Sequence, residues 1–276
     1  MSKLLWAGMN RLRLSKTFWL CMGTMLIYSV LYMLSGCRKA AMDPSEYQYS
    51  LDQFYFHFAL PISLYCAIFA SMFLGTEYQD GTIRNKIAAG CTRTDIYLSS
   101  FLLTFLGTLF ITAAWLLGAL IGIPGLGLWK MGAGHLFLYL LTAVMLISAF
   151  SAVYTLIAML SANKAGTVVL TTLLCLGLLL GASLIYNALD QPEMLSDIVI
   201  TSQGMEIGDP LPNPHYISGS MRNIYQGLLE FLPSGQGISL WQLEVVHPLR
   251  MLASSLFITA AANLGGVLLF KRKNIK

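Results

Sequence analysis

Thr82–Ala89 lies in a short polar segment between two long apolar runs, and its residue types suit the binding of a partner. Ile83 and Ile87 are four residues apart and share one face of a helix, whereas Arg84 and Lys86 lie on other faces. A helix of about two turns is unstable alone in water, so its apolar face needs a membrane surface or another protein to cover it. An apolar centre with charges around it is typical of a protein interface.

The residues that follow indicate where this helix ends. Gly90 accepts the left-handed conformation that is common just past a helix end. Thr92–Asp95 has the spacing of a capping box, with Asp in place of the commoner Glu. We therefore predict a short helix, a turn and the capped start of a long helix. A second interpretation stays open, in which Arg84, Lys86 and Arg93 contact only lipid head groups.

Catalytic signatures are absent from the sequence. There is no G-x-x-x-x-G-K-[ST] loop, so the chain is not itself an ATPase, and neither HExxH nor GxSxG occurs. Every Asp and Glu lies outside the long apolar runs or at their ends, which argues against an ion-coupled carrier. No basic patch is interleaved with aromatic residues, so we expect no nucleic-acid partner.

The cysteines and histidines do not predict a metal site. The five cysteines form neither a CxxC pair nor an extracellular disulfide framework. The four histidines are poorly spaced for metal binding, and we expect them to be interfacial or solvated: His57, His135, His215 and His247. Leu34–Cys37 resembles a lipoprotein cleavage site, but we interpret it as the end of the first apolar run.

Composition predicts a membrane protein. The chain is 56% hydrophobic and 11% charged, whereas a soluble domain has about 25% charged residues. A helix crosses the bilayer with about 20 residues, and unpaired backbone groups are too costly in lipid for any other structure in such runs. Six runs are long enough to span: Phe18–Gly36, Phe56–Gly75, Leu98–Ile123, Leu136–Leu160, Ala165–Tyr186 and Arg250–Phe270.

The predicted fold is an all-α polytopic membrane protein with six transmembrane helices. Most of its 17 Lys and Arg fall on the side of the two termini, so the positive-inside rule places both termini in the cytoplasm. The large segment before the last span has a non-helical stretch, Asp209–Pro214, and an amphipathic helix, Met221–Leu232. The predicted regions are an interfacial helix (1–16), spans one to five (17–186) with the loop 76–95, an extracellular segment (187–249), and a sixth span with a basic tail (250–276).

These features together resemble the membrane subunit of type-2 ABC exporters. The resemblance includes the six-span layout, the basic lead-in and an acidic residue that closes the second span. It is most specific in the loop after that span, whose matching residues are Glu77, Gly81, Thr82, Ile83, Arg84, Lys86, Gly90, Arg93, Ile96 and Tyr97.

The resemblance implies a partner and an assembly. In that family this loop holds a coupling helix that docks on a separate ATPase subunit, which binds ATP and Mg²⁺, so this chain needs no cofactor of its own. Two permease subunits, identical or different, pack around the pathway within membrane lipid. First and fifth spans meet across that dimer, which singles out Gly177 and Gly181. The expected coupling residues are Glu77, Gly81, Thr82, Ile83, Arg84, Lys86, Ile87, Gly90 and Arg93.

The predicted function is that of a permease subunit of an ATP-driven exporter in a bacterial plasma membrane. Its apolar spans suit a lipophilic or amphipathic cargo, such as a hydrophobic peptide, a drug or a lipid. The alternative is a non-transporting membrane sensor or immunity protein, in which the extracellular segment 187–249 binds a ligand.

Overall fold

The fold is all-α, as predicted, and most of the described residues lie in helices. The computed structural model describes residues 1–42, 51–127, 129–161, 163–195, 198–201, 204–207 and 210–273. The helices are α1 (Ser2–Leu14), α2 (Lys16–Met42), α3 (Leu51–Tyr55), α4 (Ile62–Gln79), α5 (Thr82–Ala88), α6 (Arg93–Ala119), α7 (Ile123–Leu126), α8 (Ala133–Leu160), α9 (Lys164–Leu189), α10 (Gly219–Phe231), α11 (Pro233–Trp241) and α12 (Pro248–Arg272).

Five helices in the described part of the chain are long and apolar enough to cross a membrane. They are α2, α6 with its continuation to Leu126, α8, α9 and α12, and they coincide with five of the six predicted spans. The remaining run, Phe56–Gly75, forms a 3-10 turn (Phe56–Ala59) followed by α4. Pro61 occupies the N-cap of α4, because a proline has no N–H to continue the helix before it.

α4 lies at the centre of the helix bundle. It packs against α2, α6, α8 and α9, and most of its side chains are buried, among them Cys66, Ala67, Phe69 and Ala70. The small residues in this set let the neighbouring helices approach closely, as membrane helices commonly do. α12 packs on α8 and α6, and α1 packs on α6 through Gly8 and Leu12.

The bundle has two ends that differ in structure. At one end, which we call the α5 end, α1 and α5 contact Glu77 near the C-terminus of α4. Lys273, which follows α12, links the ends of α4 and α8 at the same end of the bundle. At the other, the α11 end, α11 packs against the 3-10 turn Phe56–Ala59, α8 and α9.

The segment 187–249 contains more structure than the sequence predicted. Two antiparallel strand pairs form, β1 (Met194–Leu195) with β4 (Leu211–Pro212) and β2 (Ile198–Thr201) with β3 (Gly204–Ile207). The predicted amphipathic helix is confirmed as α10, and the described part of the Asp209–Pro214 stretch is non-helical, while Asp209 itself lies outside the described residues.

α11 is the element of this segment that sequence reasoning missed. All its residues from Pro233 to Leu240 are buried, so it is inserted into the bundle rather than exposed around it. A Cβ atom at Gly237 would lie 2.7 Å from the carbonyl oxygen of Ala59, closer than real contacts allow. Glycine is therefore required at 237 for α11 to pack this closely on the 3-10 turn.

Candidate functional site

α5 forms where the local sequence predicted a short helix. It runs from Thr82 to Ala88, one residue shorter than expected. Gly81 and Gly90 flank it with φ angles of 67° and 82°, which are left-handed conformations that favour glycine. α5 is therefore a short rod joined to its neighbours by two sharp turns.

The predicted N-cap at the start of α6 is confirmed. Thr92 is the N-cap residue, and its hydroxyl oxygen accepts a hydrogen bond from the backbone N–H of Asp95 at 3.1 Å. The same hydroxyl donates to the Asp95 carboxylate at 2.9 Å. This pair fixes the point at which the chain leaves the turn and enters the long helix.

The expectation that Ile83 and Ile87 form one exposed apolar face is wrong for Ile83. The Ile83 side chain is only 1% exposed and belongs to the hydrophobic core of the chain, while Ile87 is half-buried against that core. The physical reason is that α5 folds back on α4 and α6, so the chain covers this face itself.

The surface that α5 leaves open has a different composition. Asp80 and Arg84 are exposed charges of opposite sign, and the other exposed side chains are small or polar. We call this surface the α5 face, defined by Gln79, Asp80, Arg84, Asn85, Ala88 and Ala89.

Glu77 joins α4 to both α1 and α5. Its side chain is 2% exposed and accepts hydrogen bonds from Arg11 of α1 and from Lys86 of α5, the latter at 2.7 Å between Nζ and Oε1. The Thr82 hydroxyl also donates to the Glu77 backbone carbonyl at 3.1 Å. A buried carboxylate is tolerated only when it is paired in this way. Glu77 and Lys86 therefore hold α5 in place from inside the chain.

Arg93 holds the end of the last helix. Its guanidinium donates to the carbonyl oxygens of Phe270 at 3.1 Å and Lys271 at 3.0 Å, and also to that of Lys273. These carbonyls have no partner inside α12, because the last four of any helix are left open. A cation at this position is also favoured by the helix dipole.

Lys273, the residue that follows α12, also links helix ends at the α5 end of the bundle. Its Nζ donates to the Tyr78 hydroxyl at 3.1 Å and to the Met159 carbonyl at the end of α8 at 2.9 Å. Burial lowers the pKa of Lys273, since desolvation disfavours the charged form. Tyr78, Arg93 and Lys273 thus connect the ends of α4, α8 and α12 at the α5 end. No local pattern in the sequence signals these contacts, which join residues far apart in the chain.

Gly177 and Gly181 lie on a side of α9 where the described chain has no close packing. A Cβ atom at either glycine would meet nothing within 4 Å. Large apolar side chains on the same helix are also exposed, among them Leu173, Leu180 and Leu184. This side of α9 is available to lipid or to another protein.

The expectation that the histidines are interfacial or solvated is wrong for His57. Its side chain is 9% exposed and lies among aromatic rings, stacked on Tyr32 with ring centroids 3.9 Å apart. His247 is partly exposed, but its Nδ1 lies 2.7 Å from the buried carboxylate of Glu230. Among the described residues, no group of three His, Cys, Asp or Glu could hold a metal ion.

Comparison with protein-family models identifies a family that resembles most of this chain. A family model described as "ABC-2 family transporter protein" matches residues 4–177, more than half of the chain. The match begins within α1, includes α5 with its flanking glycines, and ends within α9. No curated protein matches the chain.

Proposed function

Because the chain belongs to the ABC-2 family of transporter membrane proteins, we propose that it is the permease subunit of an ATP-driven exporter. A separate ATPase subunit binds the ATP and Mg²⁺, and the cargo is a lipophilic or amphipathic peptide, drug or lipid. The observation that carries this proposal is α5, a short helix held rigidly at one end of the bundle with a small polar face left open.

In this proposal the chain crosses a bacterial plasma membrane six times, with both termini in the cytoplasm. The additional span is α4 with the 3-10 turn before it. α4 has 18 residues, which is about 27 Å of helix, and the turn brings its length near the roughly 30 Å of hydrocarbon. Pairing of Glu77 with Arg11 and Lys86 makes the polar end of α4 compatible with burial.

The α5 face is the surface on which the ATPase subunit docks. Asp80 and Arg84 supply one charge of each sign for ion pairs at the rim. Ala88 and Ala89 are small, so a groove in the partner can close around the end of α5. Ile83 contributes indirectly, because its burial fixes α5 against the bundle.

Glu77, Lys86 and Arg93 are positioning residues in this scheme. Any displacement of α5 by the ATPase moves Lys86, and the Glu77 ion pairs pass that movement to α4 and α1. Arg93 begins α6 only a few residues beyond α5 and carries the movement to the end of α12. Two subunits pair through the open side of α9, where Gly177 and Gly181 permit close approach.

Co-purification with the ATPase tests the docking surface. The tagged chain is expressed in its native host, extracted in detergent and recovered by affinity, and any P-loop ATPase recovered with it is identified by mass spectrometry. Wild-type chain should retain the ATPase, and Arg84→Glu combined with Ala88→Glu should lose it, because both substitutions place an acid on the α5 face.

Lys3→Glu is the matched control, since Lys3 is an exposed base of α1 that lies outside the α5 face. It should retain the ATPase as wild type does. Undiminished recovery with the double variant, while that variant elutes as a folded protein in size-exclusion chromatography, contradicts the docking proposal.

A further inference from the structure

A cavity of about 670 Å³ lies at the α11 end, between α2 and α9, both of which pack on α4. Its walls are mostly apolar and include Leu60 just before α4, Leu64 of α4, and Leu176 and Leu179 of α9. Trp241 of α11 adds an aromatic surface. Binding sites for drug-sized molecules commonly occupy about 300–1,000 Å³ with mostly apolar walls. The cavity therefore has the size and lining of a small-molecule site.

His57 lines this cavity with one ring nitrogen unpaired. Its Nε2 lies 2.8 Å from the Tyr28 hydroxyl, and Tyr32 and Trp241 hold the ring on two sides. Nδ1 is buried and has no hydrogen-bond partner in the part of the chain that the structure describes. The ring of His57 therefore belongs to the cavity wall, while Nδ1 itself is closed off from the cavity.

The charge at the mouth of the cavity is negative. Asp190 is the one Asp, Glu, Lys or Arg among the described lining residues, and it is exposed without an ion pair there. It follows the C-terminal end of α9, where the helix dipole also favours a cation. One turn earlier, the Tyr186 hydroxyl donates to the carboxylate of Glu244 at 3.2 Å, which brings a second acid near the mouth.

A base on the adjoining surface has other partners in the chain. Arg222 lines the neighbouring cavity together with Asp190 and Glu244. Its guanidinium lies 5.4 Å from the centroid of the Tyr216 ring and donates to the Ile217 carbonyl at 3.4 Å. The two carboxylates are therefore left to attract a cation from outside the chain.

We propose that this cavity binds a drug-sized apolar cation whose positive charge is carried by nitrogen with N–H groups. The cationic N–H groups pair with Asp190, and the apolar body lies against Leu176, Leu179 and the ring of His57. An anionic molecule would be repelled by Asp190, and a purely apolar one would leave Asp190 without a counter-ion. This inference rests on the proposed function, because it names the cargo class of that exporter.

Rhodamine 6G, an apolar fluorescent cation with N–H groups, is a suitable probe. Its binding to the full chain in lipid nanodiscs is measured by fluorescence anisotropy, with empty nanodiscs to subtract partition into lipid. The free-acid analogue rhodamine 19 has the same ring system but adds a carboxylate. We expect saturable binding of rhodamine 6G and at least about tenfold weaker binding of rhodamine 19, because its carboxylate faces Asp190.

Asp190→Asn removes the charge at an exposed position and should weaken rhodamine 6G binding about tenfold. Glu193→Gln is the matched control, an exposed acid of the same region that does not line the cavity. It should leave the affinity within about twofold of wild type, because Glu193 does not line the cavity and an exposed charge without a direct contact contributes little. Unchanged affinity with Asp190→Asn, or no binding above empty nanodiscs, overturns the proposal.

The two proposals fail separately. Probe binding needs no ATPase, so absence of binding by a chain that still recovers its ATPase overturns the cavity proposal and leaves the permease proposal in place. Binding of the probe by a chain that recovers no ATPase overturns the permease proposal and leaves the cavity proposal in place.

Discussion

At the α5 end the carboxylate of Glu77 is buried between Arg11 and Lys86, whereas at the α11 end Asp190 is exposed and has no ion pair among the described residues. The first acid holds three helices of the same chain together. The second lies beside a cavity of about 670 Å³. The two acids therefore differ in their surroundings, because Glu77 is buried with two counter-ions and Asp190 is exposed with none among the described residues.

The same contrast applies to two bases. Arg93 donates to three carbonyls at the end of α12, whereas Arg84 is exposed on the α5 face. Both residues were predicted to couple this chain to a partner. This contrast predicts that substitution of a charge paired within the chain should change the stability of the subunit. Substitution of an exposed charge without such a partner should change only what the subunit binds.

Glu77→Ala should have the largest effect on stability. It leaves Arg11 and Lys86 partly buried without their counter-ion, and breaking such a pair costs about 3 kcal/mol. Thermal unfolding in lipid nanodiscs measures the loss. Asp80→Asn, an exposed acid three residues away, should stay within about 0.5 kcal/mol of wild type. Similar unfolding temperatures for both variants would remove the contrast between paired and open acids.

Arg93→Gln should have the second-largest effect on stability. It removes a charged donor from the carbonyls at the end of α12, at a cost of about 2 kcal/mol. The same unfolding experiment applies, and hydrogen exchange should show faster exchange in the last turn of α12. Arg84→Gln is the control, and it should leave both readouts unchanged while weakening recovery of the ATPase. A destabilised Arg84→Gln would contradict the separation of roles.

Gly237→Ala should destabilise the α11 end by about 1–3 kcal/mol. The added Cβ would lie 2.7 Å from the Ala59 carbonyl oxygen, so α11 or the 3-10 turn must shift. Gly177→Ala adds a Cβ that meets nothing within 4 Å and should leave the unfolding of the subunit unchanged. If two copies pair through α9, a larger Gly177→Leu change should lower the dimer fraction in native mass spectrometry.

Thr92→Ala should have the smallest effect of the four. It removes the hydroxyl that caps α6 at Asp95, which costs about 1 kcal/mol. Thr94→Ala, two residues on and without a side-chain hydrogen bond among those described, should change the unfolding free energy by less than about 0.5 kcal/mol. An equal loss from both would mean that the cap does not stabilise the start of α6.

Local and periodic features of the sequence predicted much of the fold. Apolar runs predicted the five long helices, because a run of this length can satisfy its backbone in lipid only as a helix. Gly90 and Thr92–Asp95 predicted the turn and the cap that follow α5, since both depend on neighbours within a few residues.

The features that escaped prediction depend on contacts between distant residues. Burial of Ile83 follows from the way α5 folds on the bundle, and the hydrogen bonds of Arg93 reach residues 177 or more positions away. α11 has a glycine-rich sequence without a long apolar run, so hydropathy alone assigns it to a loop. Its two close-packing glycines, Gly235 and Gly237, were the available signal.

The two left-handed glycines beside α5 limit how this helix can move. Gly81 and Gly90 are the positions where the backbone tolerates rotation most easily, while the residues between them are locked by intrahelical hydrogen bonds. A force applied at Ala88 would therefore rotate α5 as a rigid body about Gly81 and Gly90 without bending the helix. In the proposed exporter, replacing either glycine with a bulkier residue should leave docking of the ATPase intact. It should reduce the transfer of the ATPase movement to the bundle, so that ATP is hydrolysed without transport of cargo.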